Sequence, residues 1–306
     1  MKIGTIVTLS SIEIVEVGPR DGLQNEALAV STADKLALVE RAIAYGARRI
    51  EVTSFVNPKK VPQLADAEDL VALLPDRDDV TYIGLVLNRR GAERAIASGR
   101  IDELGAVCVT SDTFGIRNQG QNSDESLAAA IEIVGLAREA GRSGQITIAT
   151  AFGCPFEGEI AIDRVVEMAK RAADAAPREI ALADTIGVGV PSQVCDMVGR
   201  VREAVAGLPV RVHFHNTRNT GLANVWAAVA AGAATVDASL GGLGGCPFAP
   251  GAAGNVPTED VVYLLERGGI ATRLDLPAIV EAATWFTGVM GRPLPAMVSK
   301  APAFPA

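Results

Sequence analysis

Residues 12–26 read IEIVEVGPRDGLQNE. The first part, IEIVEVG (12–18), is a short apolar, β-branched run and predicts a strand. The residues after this run decide the fold. A doubly wound α/β sheet would place a glycine-rich phosphate loop after its first strand, and GPRDGLQNE lacks that fingerprint. Seven more strand-like runs recur along the chain, at RIEVTSFV (49–56), TYIGLVL (81–87), LGAVCVT (104–110), QITIATAF (145–152), EIALADT (179–185), PVRVHFH (209–215) and TVDASLGG (235–242). Segments with helical periodicity separate them. Among these are STADKLALVERAIAYG with Ser31 or Thr32 as N-cap and Gly46 at its end, Ser123 to Gly141, and Asn219 to Gly232. Eight strands alternating with helices predict an α/β (β/α)8 TIM barrel. The barrel is expected over about residues 12–272 of one catalytic domain spanning 1–306, with an extra C-terminal helix in a 273–306 extension.

The chain has 306 residues, 49% hydrophobic and 21% charged, which suits a globular protein with a large core. A net charge of -8 without a compensating basic run argues against nucleic acid as the partner. The N-terminal MKIGTIVTLSSIEIVEVG has no sustained apolar signal region, and no apolar run of about 18 residues predicts a membrane span. Cys108, Cys154, Cys195 and Cys246 have neither zinc-type spacing nor a small secreted context. A cytoplasmic protein is expected.

Barrel active sites form at the C-terminal ends of the strands. Several chemically capable residues fall at those ends. Arg20 and Asp21 follow strand 1, Asp184 ends strand 6, and His213 and His215 end strand 7; Glu51 lies near the start of strand 2. The two histidines are the only ones in the chain, and their i, i+2 spacing puts both on one strand face. With Asp21 and Asn255 they make a mixed oxygen–nitrogen set suited to a divalent cation such as Mg or Mn, with zinc also possible. Other readings stay open at this point. Asp21 is also a turn residue in RDG, Asn255 an N-cap near 257, Asp184 a cap for the next helix, Glu51 the partner of an inward arginine and Arg20 a surface charge. The glycine-rich GGLGGCPFAPGAAGN (241–255) reads as a mobile loop presenting Cys246 as nucleophile or acid. Cys108 and Cys195 read as packing residues.

VEVGPRDGLQNE (15–26), EVTSFVNPKKVPQ (51–63), FGCPFEG (152–158), ADTIGVG (183–189), HFHNT (213–217) and GGLGGCPFAPGAAGNVPTED (241–260) together resemble the 3-hydroxy-3-methylglutaryl-CoA lyases, over nearly the whole chain. These are metal-dependent TIM-barrel lyases related to isopropylmalate synthase. The resemblance implies Asp21, His213, His215 and Asn255 as metal ligands and Arg20 as the group stabilising an enolate oxygen. It implies Cys246 as the catalytic cysteine, with Glu51 and Asp184 as supporting acids. Asp184 is the leading candidate for the general base. The implied reaction is a retro-Claisen cleavage of an acyl-CoA to acetyl-CoA and a keto acid such as acetoacetate, by a homodimer or higher homo-oligomer.

Three positions depart from the pattern. His215-Asn216-Thr217 stands where the lyases read His-Asp-Thr, a start shared with the condensing synthases, which lack the GGCP loop. Thr147 replaces a tyrosine before the Gly-Cys-Pro turn, and Ser111-Asp112 replaces Ser-Glu. The cleavage machinery is retained while the substrate wall changes. The expected activity is cleavage of 3-hydroxy-3-methylglutaryl-CoA. Cleavage of a related thioester such as citramalyl-CoA, or Claisen-type condensation on a 2-keto acid, is the alternative. A non-catalytic acyl-CoA or metal sensor is disfavoured by the joint presence of Arg20, Asp21 and Cys246.

Overall fold

A computed structural model describes residues 10–205, 207–244 and 254–304. Eight parallel strands close into a barrel: β1 (Glu13–Glu16), β2 (Arg49–Ser54), β3 (Thr81–Val86), β4 (Glu103–Val109), β5 (Ser143–Ala149), β6 (Ile180–Asp184), β7 (Val210–Phe214) and β8 (Thr235–Ala238). β1 pairs with β2 on one side and with β8 on the other, with Val15 opposite Asp237, so no sheet edge remains. The strands are buried almost throughout because helices cover the outer face and side chains fill the inner one.

The expected strands are all present, each ending before its apolar run does, and at β1, β5 and β8 the local cause is visible. β1 stops because the chain winds into a π-helical turn at Gly18–Gly22, in which the amide of Gly22 donates to Val17 O at 3.1 Å. Both glycines of this turn are set by close approach. A Cβ on Gly18 would lie 2.5 Å from Glu16 Oε1, and one on Gly22 would lie 2.6 Å from Ser239 Oγ. β5 stops at Thr150, whose φ of 55° is a left-handed conformation disfavoured for a β-branched residue. Hydrogen bonds to both neighbouring strand ends hold it there: Thr110 Oγ1 donates to Thr150 O at 2.9 Å and Thr150 N to Thr185 Oγ1 at 2.8 Å. β8 ends before Gly241 and Gly242, at φ 70° and 73°.

Helix Thr32–Ala44 is capped by Ser31, whose hydroxyl accepts from the Asp34 amide. Helix Ser123–Glu139 begins one residue beyond an N-cap at Asn122, which forms a capping box with Glu125. Helix Gly221–Ala230 corresponds to the third expected segment. The C-terminal helix Leu276–Met290 starts on the Asp275 cap and packs against Thr32–Ala44, with the Arg41 guanidinium 4.4 Å above the centre of the Trp285 ring.

Candidate metal centre

The site is assembled at the C-terminal mouth of the barrel. On β7, Arg211, His213 and the following His215 point inward in phase, while Phe214 points outward onto Phe152, with ring centres 5.7 Å apart. The two imidazoles lie 5.1 Å apart between ring centres. The turn after β1 delivers Asp21 opposite them. Its Oδ2 is 3.8 Å from His213 Nε2 and 3.7 Å from His215 Nε2. One donor atom from each of Asp21, His213 and His215 lies within 4.8 Å of the others, a separation that one cation can span.

Asn255 reaches this cluster by a backbone route. The end of the glycine-rich stretch bridges to the end of β7, with His215 paired to Asn255 and the Val256 amide donating to Phe214 O at 3.2 Å. The Asn255 amide nitrogen donates to Asp21 Oδ2 at 2.8 Å and to Leu243 O at 3.0 Å. Asn255 is not a helix cap, since helix Thr258–Arg267 starts after Pro257.

Arg20 is buried beside Asp21, with one guanidinium nitrogen on the Asp21 carboxylate and the other 2.8 Å from Glu51 Oε2. Glu51 is therefore the arginine's partner, one of the readings left open by the sequence. Burial opposes the charge on Asp21, but the Arg20 guanidinium and both imidazoles hold its carboxyl well below the usual range. Burial also works against an imidazolium at His213. Its bond to Asp237, at 3.0 Å from Nδ1, and the charge of Asp21 outweigh this and raise its pKa.

These donors fit a divalent cation. Two imidazoles and a carboxylate converge, His213 has its Nδ1 occupied by Asp237, and its Nε2 faces Asp21. The arrangement can bind a cation, polarise an oxygen-rich substrate on it and stabilise developing negative charge with Arg20.

Asp184 lies outside the Asp21–His213–His215 cluster. In the β6–β7 register Ala183 matches His213 and Asp184 matches Phe214, so Asp184 shares the outward phase. It is fully buried, and its two oxygens accept from the Val188 and Gly189 amides, both at 2.9 Å. Burial raises its pKa and the two amides partly offset this. It shapes the turn into helix Pro191–Ala204. Cys246 lies outside the described residues.

Three residues of the site escaped the sequence reading. Asp237 on β8 holds His213, Arg211 holds Asp237, and Glu16 holds the Arg20–Asp21 turn. Glu16 accepts from the amides of Gly18 and Leu240 at 2.7 and 2.9 Å, and from the hydroxyls of Tyr45 and Thr258 at 2.6 and 2.7 Å. The signal for Arg211 was available: it is two residues before His213, on the same face. Asp237 was likewise a lone carboxylate within an apolar strand. Thr147 faces the barrel interior opposite Val107 and donates to Gln145 Oε1 at 3.2 Å.

Residues 11–285 match the HMGL-like family. An (R)-citramalyl-CoA lyase of Chloroflexus aurantiacus is 41% identical over 308 residues, covering 97% of each chain. A hydroxymethylglutaryl-CoA lyase of Bacillus subtilis is 39% identical over 284 residues, covering 93% of this chain and 95% of that one. A solved HMG-CoA lyase from Acinetobacter baumannii, in complex with coenzyme A and 3-methylmalate, superposes with a TM-score of 0.90 at 39% identity, covering 95% of each chain. With its closed eight-stranded barrel and the Asp21–His213–His215 cluster at its mouth, the chain belongs to the HMGL-like family of lyases.

Proposed function

We propose that the protein is a divalent-metal-dependent carbon–carbon lyase that cleaves 3-hydroxy-3-methylglutaryl-CoA to acetyl-CoA and acetoacetate. The convergence of Asp21, His213 and His215 beside the buried Arg20 carries this reading. Asp21, His213, His215 and Asn255 would hold the ion, with Mg or Mn matching the oxygen and imidazole donors. The ion would act as a Lewis acid toward the hydroxyl and carboxyl oxygens of the substrate.

The chain's own groups supply the rest. The substrate hydroxyl passes its proton to a base, for which Asp184 is the leading candidate on the family resemblance, the adjacent carbon–carbon bond breaks, and its electron pair becomes the enolate of acetyl-CoA while the keto acid leaves. Arg20, fixed by Asp21 and Glu51, stabilises the enolate oxygen. Its Nε–H, buried and without a partner among the described residues, remains as a donor. Cys246, by its place in the GGCP motif, protonates the enolate carbon. Glu51 keeps the guanidinium in place. The barrel with its C-terminal helix is proposed to work as one catalytic domain, in a homodimer or larger oligomer on the family resemblance. Free thiols at Cys108, Cys154 and Cys195 support a reducing, cytoplasmic setting. Among the described residues no helix is long and apolar enough to cross a membrane.

A citramalyl-CoA type substrate is the second reading. It is favoured by the 41% identical relative and by the small Thr147 on the inner wall. One experiment tests both: purified protein with Mg or Mn and a panel of 3-hydroxyacyl-CoAs, with detection of acetyl-CoA. Release of acetyl-CoA from one of the two thioesters identifies the substrate. Release from none, with citramalate or isopropylmalate formed instead from acetyl-CoA and a 2-keto acid, would replace the lyase by a condensing enzyme.

A further inference from the structure

Beneath the metal cluster, the barrel interior holds a chain of buried ion pairs. Arg49 on β2 donates to Glu103 and to Glu179, both at 2.6 Å. Glu179 faces Arg211 at 3.5 Å and accepts from the Thr235 hydroxyl at 3.0 Å. Arg211 donates through Nε to Asp237 Oδ1, and Asp237 Oδ2 meets His213 Nδ1 at 3.0 Å. Buried charges with one partner removed are strongly destabilising, so such a chain fixes each member's position through its neighbours.

We propose that Asp237, oriented by Arg211, is a positioning residue that forces His213 into the tautomer with its proton on Nδ1 and so presents a bare Nε2 to the metal. The inference rests on the metal reading of the cluster. An ionised carboxylate accepts and cannot donate, so a neutral His213 must supply the proton of this bond from Nδ1. Only Nε2 then carries a free lone pair, and it is the nitrogen that faces Asp21. Arg211 matters because a guanidinium stays charged and only donates. It occupies Oδ1 and leaves Oδ2 for the ring.

The Asp237→Asn variant tests this sharply. Asparagine offers one acceptor oxygen, and the charged Arg211 donor claims it. The Asn amide nitrogen then faces His213 Nδ1, which must become the acceptor, and the ring proton moves to Nε2. The protein has only two histidines, so selective ¹⁵N labelling yields four ring signals, and His215→Gln assigns them.

In the metal-free protein, at a pH where the rings are neutral, His213 is expected to carry its proton on Nδ1. In folded Asp237→Asn it is expected on Nε2, with metal affinity by calorimetry lowered about 10–100-fold. A wild-type ring protonated on Nε2 would overturn the proposal even if the variant does not fold. So would a folded variant with unchanged tautomer or unchanged affinity. Should the tautomer invert as expected while wild-type protein binds no divalent metal, the ring orientation by Asp237 stands and the metal reading of the site falls.

Discussion

The side-chain nitrogen of Asn255 lies 2.8 Å from the carboxylate of Asp21, across 234 positions of sequence. The contact joins the turn after the first strand to the end of the glycine-rich stretch, and both histidines, at the end of β7, lie 3.8 and 3.7 Å from the same Asp21 carboxylate. An amide can present its oxygen to a cation after rotation of its terminal group. Asn255→Ala should therefore weaken divalent-metal binding while leaving the barrel folded, as calorimetry and circular dichroism would show. Wild-type affinity in this variant would make Asn255 only a loop fastener.

Asp21→Ala and His213→Ala each remove a donor that converges on the cluster. Both should abolish turnover and lower metal affinity. Metal titration of the two variants is the check, and unchanged affinity in both would make the histidines structural.

Glu16 lies outside the barrel lumen and touches no proposed ligand, yet it secures the Arg20–Asp21 turn through four donors. Glu16→Ala strands those donors in the interior, where an unsatisfied polar group costs about 1–3 kcal/mol. A loss of roughly 3 kcal/mol in denaturant unfolding is expected, together with weaker metal binding because Asp21 is no longer held. A fall in stability without any change in affinity would show that the turn keeps its shape unaided.

Metal affinity should depend on pH through His213. Its pKa lies above the ordinary 6.5, because the hydrogen bond to Asp237 and the charge of Asp21 outweigh the opposing effect of burial. A proton competes with the metal for the ring, so affinity falls as pH drops through that raised value. In the metal-free protein the sign is opposite: the stability contributed by His213 is complete below the unfolded value and is lost as pH rises through the folded one. Titrations at about pH 6 and about pH 8 decide the matter, and equal affinities would remove His213 from the ligand set.

Glu259 gives an independent pH signature. Burial pushes its carboxyl from 4.5 up to about 7, although the Gly241 amide donates to it at 3.0 Å. Stability from this group is complete below the unfolded value and lost as pH rises through about 7. Glu259→Gln should unfold like wild type near pH 4 and be more stable by about 3 kcal/mol in mildly alkaline buffer. A constant difference across the range would show that Glu259 is already ionised at the lower end.

Cys246→Ser tests the proposed proton donor. Serine keeps the size and loses the acidity, so turnover should fall about 10²–10⁴-fold with little change in substrate or metal affinity. Thiol alkylation that labels Cys246 without loss of activity would reassign the step to a water or another side chain.

Much of this protein was legible in its residues alone. The β-branched runs and helical segments alternate with a period that only a few architectures satisfy, and the missing phosphate loop after IEIVEVG excluded one of them. The i, i+2 spacing of His213 and His215 placed both imidazoles on one face, because side chains alternate along a strand. The phase of Asp184 was not legible in the sequence, because strand phase depends on register. One residue of offset turns a side chain from the lumen to the shell, and only pairing with Phe214 revealed which.

Tertiary structure alone decided the partners. Spacing identified candidate donors but not the bond from Asp237 to His213, the arginine behind it, or the four donors on Glu16. Apart from the Gly18 amide on Glu16, these contacts join residues 24 to 242 positions apart. They exist because closing the barrel brings β1 beside β8, so that side chains from distant parts of the sequence meet in the lumen and in the buried shell around it. There each buried charge must find a partner whatever its place in the chain.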